Sequence, residues 1–111
     1  MPSYVPDHGD LIWLDFDPQT GHEQAGRRPA VVLSPKSYNH RVGLALACPI
    51  TSQVKGYPFE VRIQEHGVDG VMLADQVRSV DWKDRRARRI GRITEATLEE
   101  VQARLAPLLG L

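Results

Sequence analysis

Apolar residues along the chain fall in short runs broken by glycine, proline and polar clusters. Residues 11–16, Leu-Ile-Trp-Leu-Asp-Phe, are too continuously apolar to alternate. They predict a strand buried on both faces near its start and ended by Asp17-Pro18. A second strand is expected over residues 30–33, with Pro29 holding Arg28 extended. Residues 34–39 form a turn or short helical segment, and 44–50 a third strand whose Pro49 implies an edge or a bulge. Residues 51–57 are loop. Phe59-Glu60-Val61-Arg62-Ile63 alternates strictly, so Phe59, Val61 and Ile63 face inward. Residues 65–70 are turn material, residues 71–77 a further strand, and 80–82 and 89–93 shorter strands.

The tail changes period. Thr94 precedes Glu95, Glu99 and Glu100, as a helix N-terminus prefers. Leu98, Val101, Leu105 and Leu108 then share one helical face, and Pro107 ends or bends the helix. Short strands followed by one amphipathic helix predict a mainly β chain, closed as a small barrel with the helix packed on it. At 111 residues this is one domain, 1–111, with a core that needs no staples.

Composition excludes several classes. Hydrophobic content of 41% and charged content of 25% are globular values. No apolar run approaches the ~18 residues a membrane helix needs, and the N-terminus lacks a secretory pattern. The single Cys48, inside an apolar run, suits a reducing cytoplasm. Net charge is zero, which argues against indiscriminate coating of nucleic acid. The charge is uneven, however: Lys83, Arg85, Arg86, Arg88, Arg89 and Arg92 crowd together against Asp84. Composition alone reads this run as a solvated basic edge strand before it reads it as a polyanion site.

Candidate chemistry is sparse. His8, His22, His40 and His66 are scattered, and no cysteine pair exists, so no metal or cofactor is expected. Asp15 and Asp17 share one strand face, but a hydrogen-bonded strand end explains them better than a cation. Neither a phosphate-binding loop nor a nucleophile elbow occurs. What remains is 21–35, GHEQAGRRPAVVLSP, a polar glycine-broken loop (21–28) feeding an apolar strand. Glu23 and Arg28 there are an acid and a base five positions apart, which taken alone read as a surface ion pair worth under ~1 kcal/mol.

Six stretches in order, GDLIWLDFDP, EQAGRRPAVVLSP, YN, CPITS, GYPFEV and LADQVRSVDW, resemble the MazF/PemK family of toxin endoribonucleases. The resemblance implies an SH3-like barrel of the plasmid-maintenance toxin type. It implies a homodimer that cuts single-stranded RNA at a short site without metal. It also implies a MazE-like antitoxin whose disordered acidic tail covers the RNA groove. By motif, the family's catalytic carboxylate falls on Glu23, its arginine on Arg28 and its threonine on Thr51. The "GYPFEV" stretch suggests an A-containing site such as ACA.

The chemistry of those three types is consistent with this. Without metal, the ribose 2′-hydroxyl is the nucleophile, and its attack leaves a 2′,3′-cyclic phosphate and a 5′-hydroxyl. Glu23 is the candidate base, Arg28 the fork of donors matched to phosphate, and Thr51 a hydroxyl donor; the resemblance also allows Arg28 a share of the proton transfer. Gln24, Arg27, Asn39, Gln53, Lys55, Tyr57, Asp75 and Gln76 are expected to hold the RNA or read its bases. Two other readings are a non-enzymatic toxin of the same fold that binds DNA gyrase, and an SH3-like binding module.

Overall fold

The computed structural model describes residues 4–16 and 26–111. Strands β1 (Asp10–Phe16), β2 (Gly26–Val32), β3 (Ala45–Thr51), β4 (Glu60–Glu65), β5 (Val68–Leu73), β6 (Arg78–Val80) and β7 (Arg88–Arg92) form one curled antiparallel sheet. The order is β4-β5-β3-β2-β1-β7, with β6 also paired to β3. Helix α1 (Lys36–Val42) joins β2 to β3, and α2 (Glu95–Leu108) closes the chain. The result is a mainly β half-barrel with a terminal helix, where the periodicity predicts a small closed barrel with a packed helix.

The sheet is buried on both faces at its centre. Leu11, Val31, Cys48, Ile50, Val61, Ile63 and Met72 share one cluster with Leu98, Val101 and Leu105 of α2. Ile12, Leu14, Phe16, Ala30, Val32, Val80 and Trp82 form the other. This is why β1 reads as continuous rather than alternating: Leu11 and Ile12, adjacent in sequence, enter different cores. Helix α2 covers its own sheet. Each of its three buried side chains contributes roughly 1.5–3 kcal/mol by leaving water. Leu108, expected on that buried face, is instead 41% exposed. Thr94 caps the helix by accepting the Thr97 N–H at 3.2 Å.

The two ends of the strand order meet through a turn rather than a ladder. Glu65 and Val68 pair, and His66 (φ 51°) and Gly67 (φ 79°) make the two-residue reversal between them. His66 Nε2 then lies 2.8 Å from Arg92 O on β7. The nearby Glu65 carboxylate accepts the Thr94 N–H at 2.8 Å. A side chain at Gly91 would sit 2.7 Å from the His66 ring, so this closure requires glycine there.

Several details differ from expectation. Strand β2 begins at Gly26, so Arg27 and Arg28 are strand residues paired with Asp15 and Leu14. Cross-strand pairing and an Asp15–Arg27 ion pair outweigh the polar composition. The turn 65–70 shrinks to His66-Gly67, because the β4–β5 ladder runs to Glu65–Val68. The strand expected through residue 77 stops at Leu73 and becomes a 3-10 turn, Ala74–Gln76, followed by β6 at Arg78–Val80. Pro49 lies on an interior strand, but at the point where β3 changes partner. Ala45–Ala47 pair with β6, and Ile50 and Thr51 with β5, so the missing N–H falls in the gap between ladders.

Candidate functional site

Thr51, Gln53, Lys55, Tyr57, Asp75 and Gln76 line one open cavity of about 320 Å³. Thr51 ends β3, the next three stand on the loop to β4, and the last two on the 3-10 turn. Six residues singled out from the sequence are thus brought together. The loop is held by Glu60, whose Oε2 accepts the Lys55 N–H at 2.9 Å and whose Oε1 accepts the Gly56 N–H at 2.8 Å. Gly56 takes the left-handed conformation (φ 79°) that this tight approach needs. On the far wall the Tyr57 hydroxyl donates to Asp75 Oδ1 at 2.7 Å. Partial burial, then the Asp75 carboxylate, push that hydroxyl above the ordinary tyrosine range, so it remains a donor.

Thr51 is buried, and its Oγ1 accepts the Gln53 N–H at 3.2 Å. Its own O–H can therefore still be donated into the cavity. Below it the chain packs closely: a Cβ at Gly70 would come 2.4 Å from the Thr51 carbonyl oxygen.

Arg28 occupies a neighbouring groove of about 340 Å³, with Trp13, Pro29, Ile50, Ser52 and Val68 on its lining. Thr51 belongs to the first cavity, and Ile50 and Ser52 on either side of it to the second. The end of β3 and the residue after it thus border both hollows. Glu23 and Gln24 lie outside the described residues.

Arg27 lines the Arg28 groove and is also tied to strand β1, and Asn39 lies away from both hollows. Arg27 donates to Asp15 Oδ1 at 2.8 Å and to Arg86 O at 3.0 Å, while Arg86 Nε reaches Asp15 Oδ2 at 2.8 Å. The hydrogen bonds from Arg86 and then Arg27 hold the Asp15 carboxyl down to about 2. Asn39 is fully buried, so the surface role expected of it is corrected. Its amide donates to Pro6 O (2.8 Å) and Ser34 O (3.0 Å), its Oδ1 accepts the Ser34 hydroxyl, and its carbonyl accepts the Trp82 indole N–H at 3.0 Å. The basic run follows the edge-strand reading: Arg92 donates to His8 O at 2.7 Å and Arg89 lies 3.9 Å from Asp10.

Glu60 and Trp13 line these sites without having been singled out. Glu60 reads as one polar position of an alternating strand. Only its distance from the Lys55 and Gly56 amides reveals it as the loop's anchor. Trp13 reads as core inside an apolar run, yet it is exposed. Among the described residues, no three His, Cys, Asp or Glu side chains group as metal ligands. No helix among them is long and apolar enough to cross a membrane. Together the two hollows offer a guanidinium, an ammonium and a hydroxyl for phosphate, with amide and carboxylate groups for base edges.

Comparison with known proteins places this site in context. Residues 7–109 match the family described as PemK-like, MazF-like toxin of type II toxin–antitoxin systems. The endoribonuclease toxin MazF of Escherichia coli strain K12 is 53% identical over 107 residues, covering 96% of each chain. The crystal structure of MazF from Deinococcus radiodurans superposes with a TM-score of 0.92 at 55% identity, covering 98% of this chain and 100% of that one. A MazE–MazF complex from the same organism matches at 0.87 and 56%, covering 98% and 99%.

Proposed function

This chain belongs to the PemK-like, MazF-like family of toxins and is an endoribonuclease of that kind, and we propose that it cuts single-stranded RNA at a short A-containing site such as ACA without a metal. The observation that carries this reading is the gathering of Thr51, Gln53, Lys55, Tyr57, Asp75 and Gln76 around one cavity, beside the groove that Arg28 lines. Relatives named as endoribonucleases, up to 53% identical over 96% of the chain, favour this reading over a gyrase-binding toxin or an inert module.

In the proposed reaction Glu23 takes the proton of the 2′-hydroxyl. The freed oxygen attacks phosphorus, the bond to the 5′-oxygen breaks, and that oxygen takes a proton from water as it leaves. The products are a 2′,3′-cyclic phosphate and a 5′-hydroxyl end. Arg28 stabilises the charge that builds on the phosphoryl oxygens, and the Thr51 hydroxyl donates to one of them. Gln24, Arg27, Gln53, Lys55, Tyr57, Asp75 and Gln76 hold and read the neighbouring nucleotides. Asn39 is left out because it is buried.

The working unit is a cytoplasmic homodimer. Leu46, Leu109 and Leu111 border an apolar groove of about 510 Å³ between the end of α2 and strands β3 and β6, which a second copy would cover. The RNA groove runs along that interface, and a cognate MazE-like antitoxin blocks it with an acidic disordered tail. The test is incubation of purified protein with a defined single-stranded RNA in excess chelator. The expected products carry 5′-hydroxyl ends. A substrate with one deoxyribose just 5′ of the cut should bind but stay whole. Intact RNA, or 5′-phosphate ends, refutes the reading.

A further inference from the structure

Trp13 is exposed where the fold has no need of it. It is the fourth residue of β1, an interior strand, between the fully buried Ile12 and Leu14. Its own exposure is 39%, against 5% for Trp82, the other tryptophan. In register it pairs with Pro29 of β2 on one side and Arg88 of β7 on the other. It lines the same groove as Arg28, with Ile50 and Val68 adding apolar wall.

A flat aromatic surface beside a guanidinium is suited to a nucleotide. The guanidinium takes the phosphate, and the indole face takes the base carried by the adjoining ribose. An uncharged protein segment would be served by the apolar walls alone, and an acidic antitoxin tail would compete for the same groove; Asp69 on its lining is paired with Arg62. Arg28 and Arg88 on the strands flanking Trp13 therefore favour a polyanion carrying planar groups. We infer that Trp13 is the stacking platform for the RNA base next to the phosphate held by Arg28, a contact that rests on the endoribonuclease reading above. Stacking needs no particular base edge, so this contact strengthens binding at every site the enzyme cuts and leaves base choice to the cavity beyond Thr51.

The experiment uses the intact protein, an RNA that it cuts, and the same RNA carrying one deoxyribose just 5′ of the mapped cut. Trp82 is buried, so binding of the uncleavable RNA should quench only the Trp13 part of the emission. Trp13→Phe should abolish that quench while keeping a smaller stacking face. Trp13→Ala should raise KM about 10-fold with kcat changed far less, and Trp13→Phe should recover most of it. The Trp82 emission and far-UV circular dichroism of Trp13→Ala should match the wild type, separating lost stacking from lost fold. Normal cutting by the wild type combined with an unchanged KM in Trp13→Ala overturns this inference alone. So does a quench that persists in Trp13→Phe. A wild type that cuts no RNA overturns both readings.

Discussion

Replacing Thr51 by valine isolates one hydroxyl. Valine keeps the branched shape, so the buried site gains no cavity and its packing against β5 survives. Two interactions are lost. The first is the 3.2 Å bond accepted from the Gln53 N–H, which lies on an exposed loop where water replaces the acceptor. That loss should cost at most about 1 kcal/mol of stability. The second is the O–H that we assign to a phosphoryl oxygen of the transition state. One such donor in a preorganised site typically carries ~10²–10³ in rate, or about 3–4 kcal/mol. The two effects are therefore separated by a factor of three or more in free energy. Thr51→Ser retains the hydroxyl and should recover most of the activity. The assay is kcat/KM on a fluorogenic RNA, beside urea unfolding of both variants. Valine activity within threefold of wild type would refute the role. Serine as impaired as valine would refute it equally, by tracing the loss to shape.

Three further outcomes follow from the same structure. Arg28→Ala should lower kcat/KM by ~10²–10³ while the thermal midpoint moves little, which turnover and melting curves check together. Gly70→Ala should destabilise the fold by about 1–3 kcal/mol, read by urea unfolding, because the added methyl meets the Thr51 backbone carbonyl at 2.4 Å and backbone cannot turn aside. Asp15 has its carboxyl depressed from 3.8 to about 2, so its pairing with Arg86 and Arg27 stabilises the fold fully above pH 3.8 and is lost as pH falls through about 2. Asp15→Asn should accordingly flatten the acid side of the melting-temperature profile in that window, and an unchanged slope would show the network to be inconsequential.

What the chain's order alone determined is its apolar periodicity and therefore its architecture. A two-residue period over 59–63, an unbroken run over 11–16 and the switch to helical spacing after Thr94 are local signals, because side-chain direction follows backbone geometry directly. The candidate site was legible for a different reason: Thr51 came from the family resemblance, Gln53, Lys55 and Tyr57 lie on one polar stretch that no apolar pattern claims, and Asp75 and Gln76 are the polar positions that follow the run 71–74. Which polar residues reach the surface was not local. Asn39 is sealed in by Pro6, 33 positions away, and by Trp82, 43 positions away, so no window around it could show that its amide was already occupied. Glu60 looked like any solvent-facing strand position until folding set it beside two loop amides. Trp13 looked like core because residues 11–14 are all apolar, yet folding left it exposed beside Arg28. Burial depends on what the chain brings back from far along its length, and tertiary structure alone decides it.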